Sequence, residues 1–220
     1  MKIIVVGFIL GCVSQISVLH AGEINIVVSN PDGDPVENAI VSATHLASTV
    51  RSQPGIAGNN QPASTPHLVT ISQENKQFTP LVTAVEVGTA ISFPNRDNIL
   101  HNVYSFSKAK KFQLPLYKDE PPEPVVFDRP GKVILGCNIH DWMVAYVYVL
   151  ETPYFDQSDA QGQAILADLP AGKYEVRVRH PSRRNRGSSP PKKIDIGNDS
   201  RVQLTFTVVL KPQWRPQQVP

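Results

Sequence analysis

"KVILGCNIHDWMVAYVYVLE", residues 132–151, decides the reading of this chain. Its two ends, "KVILGCN" (132–138) and "MVAYVYVLE" (143–151), are short, nearly continuous apolar runs, the second rich in valine and tyrosine. That is the pattern of strands packed on a core, and the second run is the strongest strand signal in the sequence. The turn between them carries Cys137, His140 and Met143, three residues apart, in a chain with only two cysteines and two methionines.

Working outward, further short strand-like runs recur. "EINIVVSN" alternates Ile24, Ile26 and Val28, and "PDGDP" then reads as a turn into a second strand, "VENAIVSAT". "HLVTIS", "LVTAVEVGTAISFPN" broken at Gly88, and "HNVYSFS" (101–107) supply further strands. Beyond residue 150, "DAQG" and "PAG" are turns, and "QAILADL", "KYEVRVRH", "KKIDIG" and "RVQLTFTVVL" are strands, with Tyr174, Val176 and Val178 on one face. Twenty prolines and thirteen glycines fall between these runs, and no long helical period is found. The expectation is an all-β protein with many turns.

The opening "MKIIVVGFILGCVSQISVLHAGE" has Lys2, an apolar run thinned by Ser14, Gln15 and Ser17, and a small residue at Ala21. It reads as a signal peptide over 1–21, too short in unbroken apolar residues for the roughly 20 that a membrane span needs. Its removal takes Cys12 and Met1, so Cys137 and Met143 become the sulfur residues of the mature chain and no internal disulfide can form. A periplasmic or secreted location follows as an expectation, with no integral span in the mature chain. A net charge of +2 is too near neutrality for a nucleic-acid protein.

A metal that exchanges single electrons needs donors acceptable to both Cu(II) and Cu(I): a thiolate, two imidazoles and a weak thioether. Cys137, His140 and Met143 are three of these, and three residues of chain reach at most roughly 10 Å, so one tight loop can gather them. His101, at the start of an upstream strand after "FPNRDNIL", is the candidate for the fourth. Asn102 is placed to hydrogen-bond the cysteine loop and hold it before metal arrives. Rival readings are a buried structural cysteine, a zinc site, and a Cys-His nucleophile. Zinc would want four strong donors, which methionine is not, and nothing completes a nucleophilic set.

"ISFPNRDNILHNVYSFS" followed by "FDRPGKVILGCNIHDWMVAYVYV" resembles the cupredoxins, small blue copper proteins such as plastocyanin and amicyanin, and the ligand spacing is similar to the short amicyanin loop. With "TPYFDQSDAQG" and "LPAGKYEVRVRHP", the chain resembles secreted bacterial proteins labelled methylamine utilization proteins, and its flanks resemble carboxypeptidase-regulatory-like sandwich modules. The resemblance implies a Greek-key β-sandwich holding one copper ion, with His101, Cys137 and His140 equatorial, Met143 axial, and the ring edge of His140 at the surface. It also implies a non-enzymatic one-electron carrier between redox partner proteins. Asp141 and Trp142 stand where a proline is frequent in the family, which alters the surface a partner would meet.

The expected organisation is a copper domain over 68–150 and a second, smaller β-sandwich module built from 22–47 and 151–211. A linker covers 48–67 and a tail 212–220. The strands after 150 are few for a complete sandwich, which favours the split arrangement; two domains in series, 22–150 and 151–211, is the alternative. The rival function is a copper-handling or structural protein without electron transfer. His45, His67 and His180 read as surface or turn residues, Trp142 and Tyr146 as packing residues. "YKDEPPEPVVFD" and the basic run containing Arg177, Arg179, Arg183, Arg184, Arg186, Lys192 and Lys193 read as solvated loops.

Overall fold

The computed structural model describes residues 21–46, 68–119, 121, 123–184 and 187–211. The expected leader up to residue 20, the linker and the tail lie outside these residues, as does His67. The described residues carry seventeen strands and no helix, as the pattern of short alternating runs requires.

β1 (Gly22–Ser29) and β2 (Ile40–His45) open the chain. Between residues 68 and 150 follow β3 (Leu68–Thr70), β4 (Ser72–Glu74), β5 (Gln77–Thr79), β6 (Val82–Glu86), β7 (Thr89–Ser92), β8 (His101–Ser107), β9 (Lys110–Tyr117), β10 (Val125–Phe127), β11 (Gly131–Gly136) and β12 (Val144–Leu150). The last group is β13 (Phe155–Gln157), β14 (Gln163–Leu169), β15 (Gly172–Arg179), β16 (Lys192–Ile196) and β17 (Arg201–Thr207).

In the middle stretch, a five-stranded sheet ordered β6-β12-β11-β8-β9 faces a three-stranded sheet ordered β10-β7-β3, and β4 and β5 form a separate hairpin. Successive residues of β11 and β12 point to opposite faces, and one set of them lies inside. Val133, Leu135, Ala145, Val147 and Val149 pack with Ile91 and Phe127 of the smaller sheet, and Cys137 and Met143 lie in the same core. Each fully buried side chain of this kind stabilises the fold by about 1.5–3 kcal/mol relative to exposure.

The outer strands form a second sandwich. β1 lies between β14, antiparallel, and β17, parallel, while β2 lies between β13 and β15 in the sheet β13-β2-β15-β16. Ile24, Ile26 and Val28 meet Tyr174, Val176 and Val178 across a core from which the alternating polar residues are turned out. A small third cluster joins the two parts: Ile40 packs with Val82, Tyr148 and Leu150, with Phe155 and Tyr146 at its margin. Lys132 lies over the Tyr146 ring and donates to the Pro181 carbonyl.

Three expectations need correction. The second strand begins at Ile40 rather than Val36, because Asn38 takes a left-handed conformation (φ 63°) that breaks the extended run. "YKDEPPEPVVFD" is not wholly a solvated loop, since β9 and β10 reach into both of its ends and bury Tyr117 and Phe127. Arg179, expected among solvated cations, turns inward and donates from Nη1 to Ser42 Oγ at 2.7 Å, and burial lowers its pKa.

Candidate metal centre

The site is built where the end of β11, the start of β8 and the loop before β12 converge. Asn95 organises the approach to His101. Its Oδ1 accepts the N–H of Asp97 at 3.0 Å, and its Nδ2 donates to the carbonyls of Ile99 and Tyr117 at 2.8 and 3.0 Å. Together with the backbone bridges from Asn95 to Gln73 and to Asp119, these bonds satisfy polar groups of a tight loop and fix where β8 begins. At the other side, the Met143 N–H donates to the His140 carbonyl at 2.9 Å, closing the turn that brings His140 back over Cys137.

His101, Cys137 and His140 then meet: one ligand atom from each lies within 4.8 Å of the others. His101 is fully buried, Cys137 is a buried free thiol, and His140 is 8% exposed. The His101 Nδ1 lies 3.9 Å from Cys137 Sγ. A first-row ion at about 2.0 Å from nitrogen and 2.3 Å from sulfur subtends that separation at roughly 130°, within the range of an open trigonal or tetrahedral site. The rings of His101 and His140 are 4.9 Å apart between centroids.

Hydrogen bonding fixes which edge of the His101 ring faces the sulfur. The far nitrogen of His101, Nε2, is 2.8 Å from Asp97 Oδ2. An ionised carboxylate only accepts, so Nε2 donates to it and Nδ1 is the ring atom that faces the sulfur. Burial alone would raise the Asp97 pKa. Hydrogen bonds from the Lys76 N–H, His101 and the Asn75 N–H outweigh it and hold the carboxyl below its ordinary value. Burial first, and then the charges of His101 and Lys76, push His140 below the ordinary imidazole value. Its Nδ1 is buried and makes no hydrogen bond. A buried polar atom without a partner costs about 1–3 kcal/mol, which a coordinated cation would offset.

The site's supports were only partly foreseen. Asn102 does hydrogen-bond the cysteine loop, its Oδ1 accepting the Asn138 N–H at 2.8 Å. Asp97, Asn95 and the Asn75–Lys76 turn were not anticipated; an Asn-x-Asp run four residues before a candidate ligand was the available signal. Trp142 packs as expected, 5.2 Å from the His140 ring, and its Nε1 donates to the Lys76 carbonyl. The same ring packs against His140, which keeps 8% of its surface exposed. Met143 is buried in the same core as Cys137. His45, exposed, meets the edge of Tyr174, and His180 lies in a turn, neither within the cluster.

No protein-family model matches the chain, and no curated protein matches it. Among solved structures, an amicyanin variant with Cu(I) is similar to 37% of this chain over 81% of its own length, at 21% identity and a TM-score of 0.34. A second reduced amicyanin variant covers 40% of this chain and 87% of its own at 21% identity and a TM-score of 0.35. A purple cupredoxin from Nitrosopumilus maritimus covers 37% of this chain and 99% of its own, at 24% identity and a TM-score of 0.33.

Proposed function

We propose that this chain is a periplasmic or secreted mononuclear copper protein that carries single electrons between redox partner proteins. The observation that carries the reading is the convergence of a buried thiol and two imidazole nitrogens, one of them without any hydrogen-bond partner. His101, Cys137 and His140 would hold the ion, with Met143 as the weak fourth donor. Bound there, copper supplies a one-electron couple between Cu(II) and Cu(I).

The chain's own residues do the rest. Asp97 orients His101, Asn102 fixes the backbone after Cys137, and Trp142 shields His140 from water. A cage held by hydrogen bonds from two strands and a hairpin changes little when the charge of its occupant changes. Soft donors disfavour the zinc reading, because a thioether is a poor zinc ligand.

Cu(II) titration followed by absorption and electron spin resonance tests this. The expected result is one equivalent bound with an intense visible charge-transfer band, absent in Cys137→Ser. A colourless complex of the intact protein would sink the proposal. The small exposure of His140 favours a second reading, a protein that stores or hands on copper without passing electrons. Rapid reversible reduction by a small redox protein excludes that alternative, and its absence supports it.

A further inference from the structure

The outward face of the five-stranded sheet is only half covered. Alternation along each strand places Tyr146 and Tyr148 of β12 on this face, and there the second sandwich lies over them through Ile40 and Phe155. Toward the β8–β9 edge the same face is open. Tyr104 pairs with Gly136 and Phe106 with Lys111, so Ile134, two residues before Gly136, continues the face beside Phe106. Phe106 is 75% exposed and Ile134 44%.

Single exposed apolar residues are ordinary, but this pair is continuous with an interface that the protein already uses. The aromatic also has a ring neighbour on this face. The Tyr104 ring rests on Gly136, where a Cβ would come within 2.7 Å of it, and lies 5.2 Å from the Phe106 ring.

Around Phe106, an open groove is lined by Lys108, Lys110, Lys111, Asp128 and Arg129. Asp128 is engaged by Lys110 at 3.1 Å, which leaves the groove with a surplus of positive charge. A second copy adding a strand at β9 is opposed by the lysines and Pro115 on that edge. An apolar centre with a basic rim fits a partner whose docking surface is an apolar socket ringed by carboxylates.

We infer that the Phe106–Ile134 face, with Lys108 and Lys111 on its rim, is a docking surface for an acidic protein. This goes beyond the metal reading and does not depend on it.

The test is fluorescence anisotropy of the full mature chain with a labelled acidic peptide of glutamates carrying leucine at regular intervals. Binding is expected to weaken with added salt, as exposed charges are screened. Phe106→Ser should weaken it about fivefold or more, the loss of an interface anchor, and the Lys108→Glu/Lys111→Glu pair at least as much. Both changes lie on the surface, and unchanged thermal unfolding verifies that the fold is intact. Equal affinity across the variants overturns the inference. So does binding only to phosphatidylglycerol vesicles, which would make this a membrane face, or self-association without peptide binding, which would make it a homotypic one. Peptide binding without a blue copper complex leaves this surface standing and removes the carrier reading; the reverse pattern removes this surface alone.

Discussion

Asp97 holds three groups with one carboxylate: the Nε2 edge of His101 at 2.8 Å and the backbone N–H groups of Asn75 and Lys76 at 2.7 and 2.9 Å. The hairpin formed by β4 and β5 is thereby tied to a candidate ligand. The His101 ring is fixed in one orientation before any ion arrives. Asp97→Ala is expected to lower metal affinity by about 10–100-fold, measured by chelator competition, as loss of a ligand's orienting partner does. In the metal-free protein, nitrogen chemical shifts should report a single Nε2–H tautomer for His101 in the parent and a mixture in the variant.

Asn102 supplies the corresponding restraint on the sulfur side. It is buried, and its Oδ1 is the partner of the Asn138 N–H. Asn102→Ala strands that donor and should cost about 1–3 kcal/mol in urea unfolding of the metal-free chain. Copper release to a chelator should also quicken, because the residue after Cys137 loses its tether.

Gly136 precedes Cys137 and is covered by Tyr104, whose Cζ and Oη would lie 2.7 and 2.8 Å from an added Cβ. Gly136→Ala should therefore destabilise the protein by about 1–3 kcal/mol, the usual cost of overpacking. Removing the obstructing ring in Gly136→Ala/Tyr104→Ala should recover part of that loss, and a double-mutant cycle reads the coupling directly.

His180 gives the pH prediction. Its Nδ1 accepts the Ser182 N–H at 3.2 Å, and burial, outweighing a hydrogen bond to the Glu37 backbone, pushes its pKa below the ordinary imidazole value. Below about pH 6.5 the unfolded chain takes up this proton before the folded one does. The contribution to stability is thus complete above that pH and is lost as pH falls toward the folded-state value. Urea midpoints of His180→Gln should fall less steeply between neutral and mildly acidic pH than those of the parent.

Several of the longer strands were legible. β8 and β14 run over the residues read from the pattern, and β12 within one; β14 buries one face in a core, while β12 is apolar along its whole length and buried on both faces. The three-residue strands β5, β10 and β13 were not, since no run so short has a readable period. β9 escaped for another reason: Pro115 argues against a strand, and only an edge position, with one side unpaired, tolerates it. For the site, Cys137 and His140 stood out because few residue types offer such donors, and local spacing already brought them together. Asp97 did not stand out, because a carboxylate in a loop is ordinary until the fold shows what it faces.

The position of β1 between β14 and β17 bears on how the molecule assembles. Asn25 stands opposite Ile165 on one side and Gln203 on the other, so neither neighbour exists until most of the polypeptide has been made. Such distant pairings are entropically late and slow a fold more than they weaken it. The stretch from β3 to β12 pairs only within itself and can condense first, leaving the opening strand as a waiting edge that the final strands cover last.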